Sequence, residues 1–152
     1  RWWGHKWKSE MHEVSFEETL NGILERDPRY PYDAYDFVRE ALEYTQKGVA
    51  KANRNQARHI TGQELLNGIR GYAMKQFGPM TLAVFEEWNI RTCRDFGEIV
   101  FNLVEAGQLV KTEQDSRADF EGGYDFNEAF RSPFLPPSRR AGSPSGSRTP
   151  RS

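Results

Sequence analysis

One stretch, from Thr92 to Gly107, constrains the fold more than any other part of the chain. Apolar residues recur there at i, i+3, i+4, i+7 and i+8, the spacing that places them on one face of an α-helix; they are Phe96, Ile99, Val100, Leu103 and Val104. Thr92 and Asp95 have the spacing of a capping box, and Gly107 suits the left-handed conformation that ends a helix. The stretch therefore predicts an amphipathic helix that packs against a core.

The residues after this helix have the pattern of a β-hairpin. Leu109–Thr112 is short and mixed in polarity, and Asp115–Gly123 is rich in residues that favour turns. Tyr124 and Phe126 alternate with the polar Asp125, which is the two-residue period of a half-buried strand. A helical core that carries such a hairpin has the outline of a winged helix.

Four more helices are predicted before this stretch. Capping boxes start two of them at Ser15 and Thr61, each with a glutamate three residues later. A third begins near Asp33, and Pro79 can occupy the first position of the fourth. The predicted fold class is mainly α, with five helices and a C-terminal β-hairpin in a winged-helix-like arrangement.

The chain of 152 residues is long enough for one domain, which we place at residues 14–130. Residues 1–13 are expected to be a flexible N-terminal extension, because Met11 resembles a natural start and the preceding residues are rich in Trp. Residues 131–152 are rich in Pro, Ser and Arg, and this composition predicts a disordered tail.

The net charge of −1 conceals an acidic body between basic ends. Removing the +2 of residues 1–10 and the +4 of residues 138–152 from that total leaves −7 for the body. The expected outer face of the Thr92–Gly107 helix and the hairpin are acidic, so this surface should repel phosphates rather than read DNA. The leading interpretation is a protein-interaction or regulatory module with a partner that is itself basic. The candidate protein contacts are Asp95, Glu98, Asn102, Glu105, Asp115, Asp119 and Glu121.

A basic segment supports a different function. Gln46–His59 contains no acidic residue, and four basic residues recur there at i, i+4, i+7 and i+11; they are Lys47, Lys51, Arg54 and Arg58. On a continuous helix they would form one stripe able to contact phosphates, whereas Gly48 and the Asn-rich run allow a solvated loop instead. RNA or DNA binding, including ribosome association, is therefore the alternative function.

The sequence lacks the motifs that would indicate an enzyme or a cofactor. A single cysteine, Cys93, excludes a disulfide framework and a structural zinc site, and the three histidines do not have metal-ligand spacing. The sequence contains no phosphate-binding loop and no dinucleotide fingerprint. Long apolar runs are absent as well. We therefore expect a non-enzymatic, cytoplasmic protein that needs neither a metal nor a cofactor.

Several separate blocks carry a resemblance to a known family. They are DPRY at residues 27–30, FVREAL at 37–42, RHITGQELL at 58–66, DFGEIVFNLVE at 95–105 and the segment ending in GGYDFNEAF at 112–130. Over roughly Met11–Pro137 the chain resembles a family of small uncharacterised bacterial proteins. The resemblance implies a bacterial cytosolic protein and supplies no activity, substrate or catalytic residue.

Overall fold

The computed structural model describes residues 2–3, 10–52, 60–111 and 116–136 of the chain. This part is mainly helical. In chain order its α-helices are α1 (Glu10–Arg26), α2 (Tyr32–Ala52), α3 (Gly62–Phe77), α4 (Thr81–Glu87), α5 (Cys93–Glu105) and α6 (Phe126–Phe130).

Helix α5 is the amphipathic helix that the periodicity predicts. Four of its five periodic apolar residues are fully buried; they are Phe96, Ile99, Val100 and Leu103. The fifth, Val104, is half-buried against the same core. The capping box of Thr92 and Asp95 is present at the start of α5, and Gly107 has a positive φ of 83° just beyond its end. The prediction for this helix is confirmed from its first residue to its last.

An aromatic cluster around Phe85 joins the helices. Its ring contacts those of Phe37 on α2, Phe96 on α5 and Phe130 on α6, with centroids 5.6, 5.3 and 5.3 Å apart. Phe85 itself lies on α4 and is fully buried. One core therefore extends from α2 to α6.

Helices α2 and α3 pack closely because Gly68 of α3 lies against Thr45 of α2. A Cβ atom at Gly68 would lie 2.8 Å from the Thr45 Cβ, which is closer than real side chains approach. Helix α2 also continues through Lys51 to Ala52. Of the two interpretations of the basic segment, the helical one is therefore correct up to that residue.

The start predicted for α3 agrees with the structure, whereas the start predicted for α1 does not. The capping box of Thr61 and Glu64 is present, with the Glu64 carboxylate accepting from the Thr61 N–H at 2.9 Å. Helix α1 instead begins at Glu10, so the start predicted at Ser15 is wrong and that residue lies inside the helix.

The predicted C-terminal β-hairpin is wrong. Residues 116–136, which we call the C-terminal strap, form a 3₁₀ turn at Arg117–Phe120, helix α6, and a second 3₁₀ turn at Ser132–Phe134. The segment Val110–Lys111 pairs with Trp2–Trp3 over two residues instead of with the strap. The described residues thus have no wing, and the winged-helix-like description does not hold.

Local hydrogen bonding explains why the strap is not a strand. The Asp125 carboxylate accepts from the Glu128 N–H at 3.1 Å and starts α6, so the polar residue between two aromatic residues acts as a helix cap. Gly122 has a positive φ of 68° and lies in a turn before α6. The helical turn buries Phe126, Ala129 and Phe130 on one face, because residues three and four apart share a helix face, whereas in a strand Ala129 and Phe130 would point to opposite faces.

The strap is held against α3 and α5 by specific contacts. The Tyr124 hydroxyl donates to the Leu66 carbonyl at 2.7 Å, and the Gln63 amide donates to the Asp119 carbonyl at 2.8 Å. A Cβ atom at Gly97 would lie 2.9 Å from the Phe120 Cβ, so glycine on α5 is what lets Phe120 approach.

Candidate interaction surfaces

Carboxylates of the α1–α2 loop and α5 are linked through Arg29 and Arg117, and two more, Asp119 and Glu121, follow Arg117 in the strap. We call this the acidic α5 surface and define it by six carboxylates: Asp27, Asp95, Glu98, Glu105, Asp119 and Glu121. Asp115, the remaining predicted acidic contact, lies outside the described residues.

Glu98 lies at the centre of this surface and binds two arginines. Its Oε1 accepts from Nη2 of Arg29 at 3.2 Å and from Nη1 of Arg117 at 2.8 Å. Arg117 also approaches the Glu105 carboxylate at 3.8 Å and lies over the Phe101 ring at 4.6 Å. One carboxylate on α5 therefore links the α1–α2 loop to the strap.

Arg29 also forms a bidentate pair with Asp27 in the same loop. Its Nε donates to Oδ1 at 2.8 Å and its Nη2 donates to Oδ2 at 2.7 Å. Hydrogen bonding to Arg29, supplemented by Asn102, holds the pKa of the Asp27 carboxyl well below its usual range although partial burial opposes this shift. Asp27 therefore stays ionised throughout the physiological pH range.

Asn102 lies beneath this pair, so the sequence expectation that it faces outward is wrong. Its side chain is buried, and its amide donates to Oδ2 of Asp27 at 3.0 Å and to the Tyr35 hydroxyl at 2.9 Å. The helical period placed it beside other polar residues, but the α1–α2 loop covers that part of α5. Asn102 is a structural contact and cannot reach a partner.

Asp95 is also engaged in holding the fold together. Its Oδ1 accepts from the Tyr30 hydroxyl at 2.6 Å, and its Oδ2 accepts from the backbone N–H groups of Arg91 and Thr92 at 2.8 and 3.1 Å. Burial, together with this carboxylate, raises the pKa of Tyr30, which remains a neutral donor. The carboxylate of Asp95 is therefore a poor candidate for direct contact with a partner.

Of the two strap residues in the acidic α5 surface, Asp119 is used in a cap and Glu121 is exposed. The Asp119 carboxylate accepts from the Ser116 N–H at 3.0 Å and belongs to a capping box of the 3₁₀ turn. Glu121 follows that turn and is exposed. Glu105, with 57% of its side chain exposed, and Glu121 are the members best placed to meet another molecule.

The basic candidates lie on a different part of the molecule. Lys47 and Lys51 are exposed, are one helical turn apart on α2, and line a groove of about 690 Å³ between α2 and α3. Arg54 and Arg58 lie outside the described residues. Two of the four predicted phosphate contacts are therefore located, and they border a largely apolar groove.

Cys93 does not have the properties of a reactive nucleophile. It is buried beneath Gly123, and its thiol donates to the Tyr124 carbonyl at 3.5 Å. Burial raises the pKa of Cys93 to about 11. The start of a helix can lower a thiol pKa, but here desolvation has the larger effect.

Within 10–52, 60–111 and 116–136, no group of three or more His, Cys, Asp or Glu side chains is placed to hold a metal ion. None of the helices in these ranges combines the length and apolar character needed to cross a membrane.

Comparison with known proteins adds no relative: the chain matches no protein-family model, no curated protein and no solved structure. The bacterial family resemblance therefore remains an expectation, and the surfaces themselves carry the functional argument.

Proposed function

We propose that this protein is a non-enzymatic protein-interaction or regulatory module that binds a basic partner through the acidic α5 surface. The observation that carries the proposal is the double ion pair at Glu98, which fixes the centre of an otherwise carboxylate-rich surface. Two arginines, Arg29 and Arg117, make ion pairs with three of its six carboxylates, which are Asp27, Glu98 and Glu105.

The ion pairs give this surface order before any partner arrives. Arg29 and Arg117 have 48% and 46% of their side chains exposed, yet each is held at two carboxylates. A partner that meets ordered side chains loses less conformational entropy on binding than one that must immobilise them. Unneutralised carboxylates around this centre would attract a basic surface and disfavour an acidic one.

The test should change exposed carboxylates that do not support the fold. In the full chain, Glu105→Lys combined with Glu121→Lys reverses two charges on the acidic α5 surface. Glu17→Lys combined with Glu18→Lys is the matched control, because these glutamates are also exposed but lie on α1 away from the α1–α2 loop. Affinity purification from the source cells, after nuclease treatment, should recover a partner with the wild type and the control.

The expected outcome is loss of that partner with the Glu105→Lys/Glu121→Lys variant alone. Recovery that is equal for both variants would place the contact elsewhere on the molecule. A partner lost on nuclease treatment would favour the nucleic-acid alternative over the proposal.

A further inference from the structure

We propose that the groove between α2 and α3, here the α2–α3 groove, binds an acidic amphipathic helical segment of a second protein. The groove has a volume of about 690 Å³ and is open to solvent. Its lining includes Tyr44, Lys47, Gly48 and Val49 from α2 and Asn67 and Gly68 from α3. It is distinct from the acidic α5 surface in residues and opposite to it in charge.

Small residues create the groove. Gly68 lets α3 approach Thr45 of α2, and this contact sets the spacing of the two helices. Gly48 is exposed on the groove, and a Cβ atom built there would meet no heavy atom within 4 Å. A longer side chain at residue 48 would therefore project into open space rather than into the core.

Charge identifies the kind of occupant. Lys47 and Lys51 are exposed at the groove, whereas its acidic lining residue, Glu64, accepts a hydrogen bond from the Thr61 N–H at 2.9 Å and caps α3. A segment with carboxylates would complement the lysines. The ends of this chain would not, since residues 1–10 carry a net +2 and residues 138–152 a net +4.

The apolar part of the lining favours a peptide over a nucleic-acid backbone. The Tyr44 side chain is 38% exposed, with its ring 5.2 Å from that of Tyr72 and 5.7 Å from the Lys75 ammonium. Half-buried Val49 lines the groove nearby. A nucleic-acid backbone would interact favourably with the lysines alone, through its phosphates. An amphipathic segment would also bury apolar side chains in the groove.

The dimensions favour a short helix. The α2 residues of the lining run from Tyr44 to Ala52, and eight residue steps of α-helix measure about 12 Å. Two turns of a partner helix fit this length, with apolar residues at i, i+3 or i+4 in the groove and acidic residues beside the lysines. So small a contact belongs to the weak, transient class of interfaces.

The decisive comparison substitutes two exposed helical glycines, one inside the groove and one outside it, that both have open space at the Cβ position. Gly48→Gln would fill the groove without changing the charge. Gly22→Gln is the matched control, because Gly22 is an exposed helical glycine on α1 where an added Cβ atom would also meet no heavy atom within 4 Å. Both variants should fold, since Gln is a better helix former than Gly, and thermal melts would verify this.

The probe is a displayed library of helical 14-residue peptides with random surface residues, selected on the full wild-type chain and counter-selected on Gly48→Gln. The selected peptides should carry net negative charge with apolar residues at helical spacing. Their affinity should fall about tenfold or more with Gly48→Gln and stay unchanged with Gly22→Gln. Selection of no peptide that discriminates against Gly48→Gln, or selection of neutral or basic peptides, would overturn the proposal.

Charge reversal separates this site from the other possibilities. Lys47→Glu combined with Lys51→Glu should abolish binding of the acidic peptides, whereas Glu105→Lys combined with Glu121→Lys should leave it intact. The two proposals can therefore fail separately. Peptide binding can be absent while the acidic α5 surface binds its own partner, or present while that surface binds none. If single-stranded RNA binds instead, and Gly48→Gln removes that binding, the groove is a nucleic-acid site and the peptide proposal is wrong.

Discussion

Asp27 connects the α1–α2 loop to α5, because its two carboxylate oxygens accept from Arg29 and from Asn102. Its pKa is depressed in the folded protein, so the stabilisation is present above the unfolded pKa, near 4, and is lost as pH falls toward the folded value. We expect Asp27→Asn to lower the free energy of unfolding at pH 7 by about 1–3 kcal/mol. The difference from wild type should shrink as the pH falls from about 5 to 2.

Urea unfolding at a series of pH values measures this difference. Glu25→Gln is a suitable control, because Glu25 is exposed on α1 near the same loop. The free energy of unfolding of the control should equal that of the wild type at every pH of the series. A loss of stability in Asp27→Asn that is the same at pH 2 and pH 7 would contradict the role given to this carboxylate.

Cys93 allows a second prediction at the scale of one residue, since it is the only cysteine in the chain. A thiol pKa of about 11 in place of the ordinary 9.0 lowers the thiolate fraction at pH 8 by about 100-fold. Alkylation by iodoacetamide in native buffer should be slower than in denaturant by at least that factor, because burial also blocks access. Equal rates in the two conditions would show that Gly123 and Tyr124 do not cover the thiol.

The packing of α2 on α3 depends on the missing side chain of Gly68. Replacing glycine by alanine in an exposed helix stabilises by about 0.5–1 kcal/mol, because glycine has more freedom to lose on folding. At Gly68 the added methyl group would overlap Thr45, so we expect Gly68→Ala to destabilise by about 1–3 kcal/mol. Gly22→Ala, at an open position on α1, should show the stabilising effect alone.

Thermal and urea unfolding should show that Gly68→Ala lowers the free energy of unfolding and that Gly22→Ala raises it, although both replace glycine by alanine. Loss of the Gly68 contact should also increase hydrogen exchange along both α2 and α3. A stabilised Gly68→Ala would mean that Thr45 moves aside without cost and that the helices do not depend on this close approach.

Helices were more predictable from the sequence than the strap, for a physical reason. The residues that define α5 are local: its period, its capping box at Thr92 and its terminal Gly107 all lie within one stretch. In the strap, Tyr124 and Phe126 are two residues apart, which suits either a strand or the entry to a helix. The Asp125 side chain decides for the helix by accepting from Glu128, and that bond competes with an extended backbone.

The sequence predicted which acidic residues of α5 belong to the candidate surface, but it did not predict their hydrogen-bond and ion-pair partners. The acidic residues of α5 were found because they share one helix face. The partners of Glu98 were not, because Arg29 is 69 residues away in sequence and Arg117 is 19 residues away. The burial of Asn102 was missed for the same reason, since the loop that covers it comes from before α2.

At the scale of the whole molecule, a single aromatic core connects elements that are far apart in the chain. Phe85 on α4 contacts Phe37 on α2 and Phe126 and Phe130 in the strap. The α1–α2 loop and the strap also meet through Glu98. Because α2 and the strap share these contacts, neither should lose its structure independently of the other.

We therefore expect Phe85→Ala to destabilise the entire described fold, by about 3–5 kcal/mol for a buried aromatic residue. Unfolding should remain one cooperative transition at a lower temperature, and hydrogen exchange should increase together in α2, α5 and α6. Phe85→Leu should cost less, because it leaves a smaller cavity, and Phe134→Ala should cost under about 0.5 kcal/mol, because Phe134 is 43% exposed. Faster exchange confined to α6 in Phe85→Ala would show instead that the strap is a separate unit, docked on a helical core that is stable without it.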